Sequence, residues 1–90
     1  MLKVVVTGQF KKDIRKSLKQ GKAVEALLTV MGYLIHQQPL PENFKDHPLV
    51  GDLVGRRDCH LQPDLLLIYR VEGERLILER MGNHSELFRK

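Results

Sequence analysis

The sequence predicts an α+β domain. It comprises an N-terminal strand, an antiparallel helical hairpin packed on an antiparallel sheet of about four strands, and a short C-terminal helix. Three observations carry this prediction. Apolar residues recur at helical spacing only in the first half of the chain, from about residue 8 to residue 38. Strand-like runs broken by Gly and Pro fill the second half. The length of 90 residues leaves room for one core, so residues 1–90 are expected to form a single domain.

Each element has its own signal. "LKVVVT" (2–7) is a β-branched run and predicts a strand. In "GQFKKDIRKSLKQGK", Phe10, Ile14 and Leu18 recur every four residues between basic ones, the pattern of an amphipathic helix that Gly21 ends. "KAVEALLTVMGYLIHQQ" repeats the pattern with Val24, Leu27, Leu28, Met31, Leu34 and Ile35. The short link between the two predicts a helical hairpin. Pro39 and Pro41 close the helical region and open a loop to about Asp46. "LVGDLVGRRDCHL" holds one or two short extended pieces. "LLLIYRV" (65–71) is apolar on both faces and predicts a central strand, which turns at Gly73 into its hairpin partner "RLILERM" (75–81). "HSELFRK" closes the chain as a short helix or tail.

Composition narrows the function classes. The lone Cys59 can form no internal disulfide and offers no cysteine zinc site. Nothing resembles a signal peptide, and no apolar run approaches the roughly 18 residues of a membrane span, so a cytoplasmic protein without membrane contact is expected. Net charge is +4 overall, but residues 1–22 carry +6 and the remainder −2. Lys11, Lys12, Arg15, Lys16, Lys19 and Lys22 suit a nucleic-acid surface, since each neutralised phosphate releases counterions. A solvated helix face is the plainer alternative.

The remaining chemistry gathers in the strand region. His36 ends the second helix and reads as structural. His47 closes the Pro-containing loop, His60 ends a short strand and His84 follows the last strand, so a small meander can bring all three together. Asp64 lies four residues after His60, and Arg56, Arg57, Arg80 and Lys45 are close in sequence. Cutting RNA without a metal needs a base, an acid and cations for the charge that builds on phosphorus. Histidine suits the proton steps and arginine the charge. Two histidines and Asp64 also have the composition of a metal triad, but Pro63 forbids a helical His60–Asp64 pair. No metal and no cofactor are therefore expected. Strand alternation places Cys59 opposite Asp58 and His60, as core filler, with Asp58 in a structural hydrogen bond or ion pair.

The stretches "FKDHPLVG", "GRRDCHLQPDLLLIY" and "RMGNHSELF" closely resemble the YafQ branch of the RelE/ParE superfamily of bacterial type II toxins. The resemblance runs over nearly the whole chain. It implies the RelE-like fold and a toxin that enters the ribosomal A site and cuts messenger RNA. It also implies an antitoxin that neutralises the toxin and, in complex with it, represses their operon, so that operator DNA is met only through that complex. The family's working residues correspond to His47, Arg57, His60, Asp64, His84 and Phe88. Many members carry an aromatic residue after the Pro-Asp pair, where this chain has Leu65.

Two functions fit these residues. One is a ribosome-dependent endoribonuclease, with His47 and His84 as the acid–base pair on mobile segments and with His60 and Asp64 orienting them or the scissile phosphate. The other is a non-catalytic toxin of the same fold that inhibits a protein such as DNA gyrase. The histidine cluster separates them, because the second has no use for it.

Overall fold

A computed structural model describes residues 1–21 and 24–88 of the chain. Lys22, the last member of the basic segment, lies outside the described residues. The elements are β1 (Lys3–Val6), α1 (Gly8–Lys19), α2 (Val24–Ile35), β2 (His47–Pro48), β3 (Arg57–Gln62), β4 (Leu65–Glu72), β5 (Arg75–Gly82) and α3 (His84–Leu87). Single turns of 3-10 helix at Glu42–Phe44 and Gly51–Leu53 shape the loops around β2. The predicted class and element order hold, with two differences in the sheet. It has five strands in the order β1-β5-β4-β3-β2, and β1 runs parallel to β5. The extra strand, β2, has two residues, too few to display an alternation. The parallel pairing arises because the two helices carry the chain away from β1, which β5 later joins from the other side.

α1 begins at Thr7, whose hydroxyl accepts from the Phe10 amide and donates to the Glu79 carbonyl at 2.8 Å. One residue thus caps the helix and pins it to β5. The predicted apolar stripe is only partly right. Phe10 is buried and Ile14 packs on the core, but Leu18 is 53% exposed, and Asp13 and Ser17 take the inner face. β1 pairs with β5 only as far as Leu78, which leaves the later part of β5 with β4 on one side and no strand on the other. Asp13 supplies a partner there, accepting from the Met81 amide at 3.0 Å. In α2, Leu27, Val30 and Leu34 are buried, whereas Leu28 faces out at 61% exposure. α2 ends at Ile35, and Gln37 turns the chain in a left-handed conformation before the prolines.

Both helices pack on one face of the sheet, where Phe10, Leu27, Val30 and Leu34 meet Cys59, Leu61, Leu65, Leu67, Tyr69, Leu76 and Leu78. β4 is central as predicted, and Leu65 to Tyr69 are buried on both faces. Full burial of one such side chain stabilises by about 1.5–3 kcal/mol, so this run anchors the sheet. Its other face, turned away from the helices, carries the site.

Candidate active site

Strand register sorts the polar residues between the two faces. His47 pairs with Asp58, Asp58 with Ile68, and Ile68 with Arg80, one cross-strand row over four strands. Side chains in a row share a face. His60, two residues beyond Asp58, stands in the next row with Leu66 and Gly82, and His84 follows directly in α3. Register therefore brings His47 and His60 to one side of the sheet, and His84 stands just past the end of the His60 row, at the start of α3. All three lie close enough to Asp58 for their charges to act on its carboxyl.

His47 is held at both ring nitrogens. Its Nδ1 lies 2.9 Å from the Lys45 carbonyl, which can only accept, so Nδ1 carries a hydrogen. Its Nε2 then faces Asp58 Oδ1 at 3.0 Å. That approach is oblique, and the buried oxygen is left without a directed hydrogen bond. Burial pushes the Asp58 carboxyl above its ordinary range; His47, His60 and His84 pull it down, and Asp46 adds to the rise. The polar partner of Asp58 is thus His47, one of the candidate catalytic groups, and the contact is an ion pair only when that imidazole is protonated.

The loop before His47 has its own anchor, which the sequence did not reveal. Asp46 accepts from the Tyr69 hydroxyl at 2.5 Å and from Arg57 at 3.1 and 3.3 Å. Burial raises the Tyr69 hydroxyl's pKa, and its bond to Asp46 raises it further. Lys45 adopts a left-handed conformation just upstream, turning Asp46 inward while its own side chain stays exposed. His47 accordingly sits on a tethered loop rather than a free one. His84 is tethered as well, at the first turn of α3, with its ring centroid 4.9 Å from that of Phe88.

Not every expected residue reaches the histidines. Alternation in β3 puts Arg57 on the face of Cys59 and Tyr69, across the sheet from His60. Asp64 lies exposed in the turn between β3 and β4, beyond the end of the His60 row. Arg56 and Arg70 share the two oxygens of Glu79, with Arg70 at 2.5 Å, and Arg70 also binds Glu72. Arg80 donates to Asp13 at 2.8 Å. Burial raises the Asp13 carboxyl, but its bonds from Arg80, Met81 and Gln9 outweigh that and leave it below its ordinary range. The candidate phosphate-binding arginines are thus all paired, though each retains unused guanidinium donors. Lys11, Lys12, Arg15, Lys16 and Lys19 are exposed along α1, and Lys16 is engaged by Glu86 of α3.

Among the described residues, no group of three His, Cys, Asp or Glu is arranged to hold a metal ion, and no helix is long and apolar enough to cross a membrane. Cys59 is fully buried on the helix-covered face, and burial pushes its thiol up to about 12, which fits core filler and not a nucleophile.

Residues 2–89 match the family described as the bacterial toxin of type II toxin-antitoxin system, YafQ. The chain is 42% identical over 83 residues to the mRNA interferase toxin YafQ of Escherichia coli K12, covering 91% of this chain and 90% of that protein. Among solved structures, a copper-bound mutant toxin from Helicobacter pylori superposes with a TM-score of 0.96 at 42% identity, covering 98% of this chain and 100% of the other. YafQ in the E. coli DinJ-YafQ complex superposes with a TM-score of 0.89 at 39% identity, covering 98% and 99%. Sequence and fold agree: this chain belongs to the YafQ family of type II toxin-antitoxin toxins.

Proposed function

We propose that this toxin is an endoribonuclease that cuts messenger RNA in the ribosomal A site without a metal, and that a cognate antitoxin neutralises it. One observation carries the reading: His47 and His60 share the sheet face of the buried Asp58, and His84 stands at the end of that face in α3. The relatives support it. One is named an mRNA interferase toxin, and a structural neighbour was solved in a toxin-antitoxin complex. Repression of an operon through such a complex follows from the same family logic.

In the proposed reaction, one histidine removes the proton from a ribose 2′-hydroxyl. The freed 2′-oxygen attacks the adjacent phosphorus while the bond from phosphorus to the 5′-oxygen breaks. A second histidine, protonated, returns a proton to that 5′-oxygen, leaving a 2′,3′-cyclic phosphate. His47 and His84 take these proton roles, since both are exposed at the rim of the cluster. His60 orients the scissile phosphate from the end of β3, and Asp64, in the exposed turn beyond that row, is left to contacts with the neighbouring RNA. Arg56 and Arg80, on the histidine face, use their spare donors on the charge that develops at phosphorus. Arg57 works at one remove by holding Asp46, and Phe88 offers a ring on which a base can stack.

The copper-bound neighbour makes the metal question a direct one. Cleavage in a ribosome reaction at constant Mg²⁺ should continue when a chelator selective for transition metals is added. It should yield fragments ending in a 2′,3′-cyclic phosphate. Loss of cleavage that zinc, copper or manganese restores contradicts the metal-free reaction.

A further inference from the structure

α3 has only four residues, yet it presents His84 and Phe88, and a single turn of helix has almost no stability of its own. Something outside the turn must hold it. Glu86 is bonded on three sides. Its Oε1 accepts from the Asn83 amide at 2.8 Å while the Asn83 side chain accepts from the Glu86 amide at 2.8 Å, a complete capping box. Its Oε2 is gripped by Lys16, which reaches across from α1. Gly82 makes room for this: a Cβ there would stand 2.8 Å from Glu86 Oε1. The Lys16 bond and the Asn83 amide hold the Glu86 carboxyl below its ordinary range. Within the turn, the Phe88 amide donates to the His84 carbonyl at 2.9 Å, which keeps the two rings together.

We propose that Glu86 is a positioning residue for RNA cleavage. By closing the capping box of α3 and docking it on α1, it fixes His84 and Phe88 over the scissile phosphate. This rests on the function proposed above. Lys16 then serves α3 as well as any RNA, and only Lys11, Lys12, Arg15 and Lys19 of the described α1 cations remain available for phosphate.

A glutamine keeps the oxygen that closes the capping box but sets an NH2 where Lys16 needs an acceptor, so it should replace Glu86 in part and an alanine not at all. Three variants separate the possibilities in single-turnover cleavage on programmed ribosomes, with ribosome affinity measured alongside. Glu86→Ala should slow cleavage about tenfold, the order expected when a capping interaction of a one-turn helix is lost, while affinity stays unchanged. Glu86→Gln should cleave faster than Glu86→Ala and slower than wild type. Adding Glu86→Ala to His84→Ala should cost clearly less than in the wild-type background, because only the Phe88 contact is then left to lose. A Glu86→Ala rate equal to wild type, a Glu86→Gln rate as low as that of Glu86→Ala, or a full additional loss in the His84→Ala background each overturns the proposal. If His84→Ala itself cleaves at the wild-type rate, the function proposed above fails instead.

Discussion

Replacing Asp46 by alanine should damage stability and cleavage together, by amounts the geometry allows one to work out. The carboxylate is the acceptor for the Tyr69 hydroxyl at 2.5 Å, and Tyr69 is only 2% exposed. Leaving that buried hydroxyl unpaired costs about 1–3 kcal/mol. The Arg57 pair adds less, since its side chains are 43% and 23% exposed and such pairs contribute at most about 1 kcal/mol. The total, about 1–4 kcal/mol, corresponds to a fall in Tm of roughly 4–30 °C for a domain of this size. His47 is the next residue, and releasing its loop should slow cleavage by about 10²-fold, the effect of misplacing a reacting group by an ångström. Tyr69→Phe is the control, because it removes the hydroxyl but leaves Arg57 on Asp46. It should lose stability without losing most of the cleavage rate. Thermal melts and single-turnover cleavage read the two effects. An Asp46→Ala protein that melts and cleaves like wild type refutes the idea that this carboxylate holds the His47 loop.

Three further outcomes follow. Because burial raises the Asp58 pKa, its favourable contribution is complete only below the ordinary carboxylate value and fades as pH rises through the raised one. At neutral pH Asp58→Asn should therefore melt at the same or a higher temperature while cleaving about 10²-fold more slowly; a large drop in Tm contradicts this sign. Exchanging Lys11, Lys12, Arg15 and Lys19 for Gln should weaken ribosome binding and lower the slope of log affinity against log salt by up to about 0.7–0.9 per lost phosphate contact. An unchanged slope reduces α1 to a solvated face. The Cys59 thiol, pushed up to about 12, should resist alkylation at pH 8 in the folded protein and react fully in denaturant. Rapid labelling of the native protein would show that β3 opens readily.

Much of this fold was legible because its signals are local and periodic. The double-faced apolar run of β4, the turn at Gly73 and the alternation around Cys59 need nothing beyond near neighbours, and all three appear as read. What escaped depends on distant residues. The inward turn of Asp13 on a basic helix makes sense only once β5 is seen to outrun β1, a relation between residues 68 apart. Arg56, Arg57 and Arg80 looked like one cationic set in sequence, but alternation sends Arg57 to the opposite face, and each meets a different carboxylate. The shared face of His47 and His60 follows from their places at strand ends, with His84 just beyond it in α3. Their common neighbour Asp58 was placed on the correct face and given only a structural part. Asp46 and Glu86, which tether the two outer histidines, carry no motif that distinguishes them from ordinary surface acids.

The most direct test maps messenger RNA ends at nucleotide resolution in a purified translation reaction. It uses the wild-type protein and the His47→Ala, His60→Ala and His84→Ala variants, with ribosome binding measured for each. The account predicts new 5′ ends within the A-site codon for the wild type and none without ribosomes. It predicts a loss of about 10²–10⁴-fold for His47→Ala and His84→Ala at nearly unchanged ribosome binding. Intact messenger RNA with the wild-type protein, or cleavage at the wild-type rate by all three variants, would contradict it.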